Sequence, residues 1–313
     1  MDKILEIISK LKYQTILLFG GFVFILMSMC KFSFENDNFK IEQSDSINYF
    51  VFVVGFVFVV LSIIVFMAEY FDIFSTKNIK AIKNGYSVEF GGKKLNVIYG
   101  KIETYRCDNN TVIALPIDEF FSKDCILRKG SALNAYVKRH YAPADIDLTL
   151  QSAQPFIDLV VQNLSGMPKS NVEKKPNIFE DSYGVGKGVF FNDTNSQNNL
   201  ILISTSTQRV NQGIRSDVSY IAEAVNEVCN MMTNNALYNL YIPVIGSGYG
   251  GLLEADIFVL ILQFVKVLRN QEKQIHEVNI VVYKSDASDS EKLNIKFIKS
   301  ILKSVLTITI KDI

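Results

Sequence analysis

Apolar side chains run without a single charge through Tyr13–Cys30 and again through Ser46–Ala68, and only after about residue 75 does the pattern break into short blocks. A bilayer core about 30 Å thick is crossed by roughly 20 helical residues, so these stretches predict a pair of transmembrane helices. The later blocks are of two kinds. Ser87–Phe90, Leu95–Tyr99, Thr111–Leu115, Gly188–Asn192, Leu200–Thr205, Tyr241–Ile245, Val278–Tyr283 and Leu306–Ile310 are short and dense in β-branched, aromatic and leucine residues, which predicts strands. Ser131–His140, Leu148–Leu164, Ser216–Asn234, Glu254–Asn270 and Ser288–Leu302 carry helical spacing. Nearly continuous apolar strands separated by helices predict a sheet covered on both faces, an α/β sandwich. Ser165–Asp181, with Pro168, Pro176 and several lysines, reads as an exposed excursion within that domain.

Charge orients the first part of the chain. Lys3, Lys10 and Lys12 precede the first apolar stretch and Lys77, Lys80 and Lys83 follow the second, whereas Lys31–Asp45 holds two lysines against four acids. The positive-inside rule then places both termini in the cytoplasm of a multi-pass protein of the inner (cell) membrane. A cleaved signal peptide competes for the first stretch, but Met27-Ser28-Met29-Cys30 offers no small-residue cleavage site. Neither span contains Asp, Glu, Lys, Arg or His, which disfavours a transporter. Gly20, Gly21 and Gly55 allow helices to approach closely. The expected division is a membrane region over 1–74 and a cytoplasmic domain over 75–313.

Thirty-two basic residues balance 32 acidic ones and no basic run occurs, so nucleic acid is excluded as a partner. Cys30, Cys107, Cys125 and Cys229 are scattered, and only His140 and His276 are available to join them. That distribution predicts reduced thiols, no metal site and no cofactor.

The candidate chemistry lies in Gly246-Ser247-Gly248-Tyr249-Gly250-Gly251, between the buried-strand pattern Tyr241–Ile245 and an apolar-periodic helix. Consecutive amides at a helix N-terminus hold a diphosphate without a cationic side chain, and glycine lets the ligand approach the backbone. The spacing also satisfies Gly-x-Gly-x-x-Gly, but a Rossmann fingerprint opens its domain and is followed by a strand ending in an acid. The late position here favours a phosphate loop of another kind. Gly184-Val185-Gly186-Lys187-Gly188 fails the phosphate-loop spacing and reads as a turn into a strand. A second wall follows Thr111–Leu115, where Pro116, Asp118 and Glu119 lead into a polar loop and Ser131-Ala132-Leu133 opens a helix. Asp118 and Glu119 suit a ribose hydroxyl or an amine, and equally suit a solvated acidic turn.

These two strand–loop–helix units, Val112–Val137 and Tyr241–Phe258, resemble the ligand loops of macro domains, which bind ADP-ribose and related nucleotides. Ala114-Leu115-Pro116-Ile117-Asp118-Glu119-Phe120-Phe121, Asp124-Cys125, Gly130-Ser131-Ala132-Leu133 and Ile242-Pro243-Val244-Ile245-Gly246-Ser247-Gly248 are similar to the macro-domain form of the membrane effector in Thoeris anti-phage defence. The resemblance implies a macro-domain-like three-layer α/β/α sandwich with a mixed sheet, preceded by a two-helix transmembrane hairpin. It further implies that a partner with a Toll/interleukin-1 receptor (TIR) domain makes an ADP-ribose-derived signal, histidine–ADP-ribose in this branch. Binding of that signal assembles the protein into a homo-oligomer in the lipid bilayer, disrupts the membrane and kills the infected cell.

The chain departs from the family pattern in two places. Tyr99-Gly100-Lys101-Ile102-Glu103 has lysine where ADP-ribose binders carry the aspartate that reads the adenine amine. Leu115-Pro116-Ile117-Asp118 stands where de-ADP-ribosylating members carry Asn-Ala-Ala-Asn, which argues against an enzyme. Three readings follow: a nucleotide-gated membrane effector, a membrane-tethered ADP-ribosyl hydrolase, and a non-enzymatic interaction scaffold.

Overall fold

The computed structural model describes residues 20–23, 25, 33–36, 39–42, 51–63, 79–144, 146–210, 213–245, 253–270, 274–283 and 295–310. Contacts divide the chain into two units, Met1–Lys77 and Asn78–Ile313. The first unit contains helical turns at 20–23 and 51–63 and an antiparallel hairpin of β1 (Ser33–Asn36) and β2 (Phe39–Glu42). A Cβ added at Gly21 would stand 2.8 Å from the Gly55 carbonyl oxygen, and one added at Gly55 the same distance from that of Gly21. The two helical segments therefore touch backbone to backbone at these glycines, whereas Gly20 faces open space. Phe52, Phe56, Val57, Leu61 and Ile63 stay exposed on segment 51–63. Among the described residues no helix is long and apolar enough to cross a membrane, and much of 13–30 and 46–68 lies outside them.

Among the described residues, the second unit is built on a nine-stranded mixed sheet. Its strands are β3 (Ile79–Ile82), β4 (Gly85–Phe90), β5 (Lys93–Gly100), β6 (Thr111–Asp118), β9 (Gly188–Asp193), β10 (Asn198–Arg209), β11 (Gly213–Arg215), β12 (Asn239–Pro243) and β13 (Glu277–Tyr283). The central order β10-β6-β12-β13-β5 is parallel throughout. Antiparallel strands flank it, with β4 and β3 beyond β5, and β9 and β11 against β10. Alternation along each central strand divides its side chains between two cores. Val112 and Ala114 of β6 and Ile201 and Ile203 of β10 pack under α4 (Val218–Asn234), α5 (Leu253–Arg269) and α6 (Ile295–Ile310). Ile113, Leu115, Leu200 and Leu202 pack under α1 (Lys123–Leu127), α2 (Ala132–Tyr141) and α3 (Leu150–Asn163). The arrangement is a three-layer α/β/α sandwich.

One expected strand is a helix. Leu306–Ile310 alternates like a strand, but Ile298, Ile301, Leu302, Val305 and Leu306 are buried at helical spacing in the α4–α5 core. Packing over four turns outweighs a five-residue alternation. The excursion Ser165–Asp181 contains a hairpin of β7 (Ser170–Lys175) and β8 (Ile178–Ser182). Its Lys174 is buried, paired with Glu180 at 2.9 Å and set 4.9 Å from the Phe120 ring centroid.

A buried carboxylate fixes α2 to the β9–β10 turn. Asp193, 1% exposed, accepts from Tyr136 (3.2 Å), Tyr141 (2.5 Å), Ser196 (2.6 Å) and the Asn195 amide (3.0 Å). Four donors converge on this one buried carboxyl group, and of them Tyr136 is itself fully buried and has no water to turn to if the acceptor is lost. Asp193→Ala is expected to lower the unfolding free energy by about 3 kcal/mol and Asp193→Asn by about half as much, read from denaturant unfolding. A change below about 0.5 kcal/mol for the alanine variant, the size of an ordinary surface substitution, would contradict this role.

Candidate functional site

The sheet divides between two of its central strands. β6 and β12 are paired only through Thr111–Ile113 with Asn239–Tyr241. Beyond that point β6 stays with β10 as far as Asp118, and β12 stays with β13 as far as Pro243. Pro116 and Pro243 stand just past the last shared pair, and proline has no N–H with which to extend a ladder. The helices also change faces here. The chain leaves β6 into α1–α3 on one face and reaches β12 from α4 on the other. Open α/β sheets bind ligands at such a switch point, beyond the carboxyl ends of the strands.

A cavity of about 480 Å³ opens there, a size that suits a small organic ligand. Its walls collect the carboxyl ends of all five parallel strands: Gly100, Pro116 with Ile117, Thr205 with Ser206, Pro243 with Val244, and Val281 with Tyr283. Five strands set four inter-strand spacings, so the groove extends about 19 Å across the sheet. Gly130, Ser131, Ala132 and Ala135 close it from the α2 side. The Ser131 hydroxyl caps α2 by accepting from the Asn134 amide at 3.0 Å, which presents the Ala132 and Ala135 methyls on one helix face.

The residues singled out from sequence divide into three groups. Pro116, Ser131 and Ala132 line the cavity. Asp118, Glu119 and Leu133 do not, and each is engaged elsewhere. Leu133 is fully buried in the core beneath α2. Asp118 accepts from the Ser122 amide and hydroxyl, tying down the turn into α1. Glu119, 1% exposed, accepts from the Ser182 hydroxyl (2.6 Å) and the Gln208 amide (3.1 Å), joining the end of β6 to β8 and β10. Between them and α1, Phe121 adopts φ 49°, a left-handed conformation uncommon for a bulky residue, and packs edge-on to Tyr183. The glycine loop from Gly246 to Gly251 lies outside the described residues. Val244 of the cavity wall and the buried Ile245 precede it in the chain, and α5 begins at Leu253, the second residue after it.

The cavity's charge was not foreseen from sequence. Glu103 and Arg128 are the two charged residues among those that line it, with hydroxyls from Thr205, Ser206 and Ser216 at the β10 end. Lys101 does not line it. Glu103 follows β5 by three residues, and its place in a loop beyond a strand end is the signal that the sequence reading missed. Cys125 also faces the cavity, and burial first, then the neighbouring Asp118 charge, pushes its thiol up to about 12. Burial holds the His140 imidazole below its ordinary value, favouring the neutral ring.

No protein-family model and no curated protein matches the chain. Among solved structures, the Oceanobacillus iheyensis macrodomain with ADP is 13% identical, with a TM-score of 0.47 over 72% of this chain and 97% of its own. The Trypanosoma brucei macrodomain in complex with ADP-ribose is 11% identical, with a TM-score of 0.41 over 67% and 68%. The macro domain of ganglioside induced differentiation associated protein 2 is 13% identical, with a TM-score of 0.43 over 68% and 84%.

The raised Cys125 value makes a kinetic prediction. The thiolate is the nucleophile, so at pH 8 alkylation of Cys125 by iodoacetamide is expected to be at least about a hundredfold slower in the folded chain than after denaturation. Peptide mapping by mass spectrometry reads the rate, and equal rates in the two states would contradict the buried environment.

Proposed function

We propose that the chain is a membrane-anchored sensor and effector of anti-phage defence, in which the cavity binds an ADP-ribose-derived signal such as histidine–ADP-ribose made by a TIR-domain partner. Occupancy of the cavity favours an assembled state of the membrane hairpins, and assembly disrupts the inner membrane. The observation that carries this reading is the divided sheet. A groove about 19 Å long crosses five strand ends, and one of these strands, β12, is followed in sequence by a glycine-rich segment and then by α5. A long ligand with a central diphosphate and a different group at each end matches that layout. Arg128 adds a cation within reach of an anionic ligand.

The membrane side is supported by the chemistry of the first unit. Segment 51–63 carries no charge, exposes a run of large apolar side chains, and meets its neighbour at glycines. A ligand drives assembly only to the extent that it binds the assembled state better than the separated one. Binding without turnover is the mode this reading requires.

Full-length protein in detergent is expected to bind ADP-ribose or its histidine conjugate, to return the ligand chemically intact, and after reconstitution to release dye from liposomes only when ligand is present. Ala132→Leu, which projects a larger side chain into the cavity, should weaken binding at least tenfold, about 1.4 kcal/mol, in a protein that still melts cooperatively. Calorimetry, mass spectrometry of the recovered ligand and dye release are the measurements. Steady consumption of the ligand would favour the hydrolase, and ligand-independent leakage would remove the gating role.

A further inference from the structure

The carboxyl end of β10 breaks the regular alternation of a strand. Ser204 stands opposite Ile117 of β6 and Ser206 opposite Asp118, so Thr205 between them has no partner across the ladder. A bulge of this kind inserts one residue, bends the strand and re-aims its side chains. Strict alternation would send Thr205 and Ser206 to opposite faces of the sheet. Both instead line the cavity, whereas the Ser204 hydroxyl, one residue earlier, is shut off from solvent and Ser204 does not line it.

The main chain of the bulge is held from three sides. The Thr205 carbonyl accepts from the Ser216 hydroxyl at 3.0 Å, and the Ser206 carbonyl accepts from the Glu119 amide at 3.0 Å. The Ser204 amide donates to the Lys187 carbonyl, and the Gly186 amide donates to the carbonyl of Ser204. The side chains are treated differently. Thr205 is 4% exposed and Ser206 is half-buried, and neither hydroxyl has a hydrogen-bond partner among the described residues. A polar group set in a wall without a partner costs free energy that an incoming ligand group can return.

Arg128 belongs to the same end of the cavity. It caps α1, and Ser122 at the head of that helix donates its amide to Asp118, the β6 residue opposite Ser206. The order β10-β6-β12 sets this end two strands from β12, which the glycine-rich segment follows, a distance of about 10 Å. At the opposite end, beside β13 and β5, the walls Ile102, Val281 and Val282 are apolar. The groove is therefore polarised along its length, with donors gathered beyond β10.

We propose that the bulged end of β10 is a subsite that selects a ligand whose far end carries a carboxylate, with Thr205 and Ser206 as hydroxyl donors and Arg128 as the cation. The assignment rests on the nucleotide reading of the same cavity, and names what reads the group beyond the diphosphate. An ionised carboxylate only accepts hydrogen bonds, and guanidinium and hydroxyl groups supply the donors. One positive charge balances one carboxylate, whereas a terminal phosphate monoester brings about −1.5 to −2.

The test is calorimetric titration of the full-length chain in detergent with three probes: ADP-ribose, its histidine conjugate, and its histamine conjugate, which differs from the second only in lacking the carboxylate. The wild type is expected to prefer the histidine conjugate over the histamine conjugate by about tenfold or more, the size of a hydrogen bond to a charged group. Arg128→Gln should reduce that preference to about twofold or less. Thr205→Val, close in shape and without the hydroxyl, should reduce it at least about threefold, and it carries the test should the Arg128 variant fail to melt cooperatively. Equal wild-type affinities for the two conjugates, binding of ADP-ribose but of neither conjugate, or a preference that survives both substitutions overturns the subsite while leaving the nucleotide reading intact. Binding of none of the three probes overturns the nucleotide reading, and the subsite with it.

Discussion

The constraint on which the second unit's function depends is an interrupted ladder. Parallel strands in the centre of a sheet ordinarily pair along their whole length, because each unpaired backbone group removed from water carries a cost. Here the pairing of β6 with β12 stops after three residues, and Pro116 and Pro243 remove donors that its continuation would use. The neighbouring pairs β6–β10 and β12–β13 keep their ladders, so the sheet opens at one place without losing its frame. The cavity, the change of helix layer and the start of the glycine segment all coincide with that opening.

Around the opening, buried polar groups hold the walls in position. Glu119 joins three elements at the end of β6, Asp118 fixes the turn into α1, and Asp193 holds α2 through two tyrosines and a serine. Each of these carboxylates is satisfied from within the protein, and none of them lines the cavity.

Much of the fold was legible in the chain because the central strands are buried on both faces. Val112 to Leu115 and Leu200 to Ile203 are apolar at every position, and that continuity marks a covered sheet more clearly than alternation would. The error at Leu306–Ile310 has the same origin, since a short apolar alternation does not by itself say which period the core will use. The ligand side was harder to read. Pro116, Ser131 and Ala132 follow from strand-end and helix-start patterns, whereas Asp118 and Glu119 match a ligand carboxylate in type but are consumed by Ser122, Ser182 and a backbone amide distant in sequence. Sequence spacing carries no information on partners 63 or 89 residues away.

The central claim is that the divided sheet edge is the ligand site. Hydrogen–deuterium exchange of the full-length chain in detergent, with and without ADP-ribose, addresses it most directly, because amide protection reports where ordering occurs. The account predicts slowed exchange at the carboxyl ends of β6, β10, β12 and β13, through the glycine segment into the first turn of α5, and at the start of α2. Protection confined to other surfaces, such as the β7–β8 hairpin or the β3–β4 edge, with the strand ends unchanged, would contradict it.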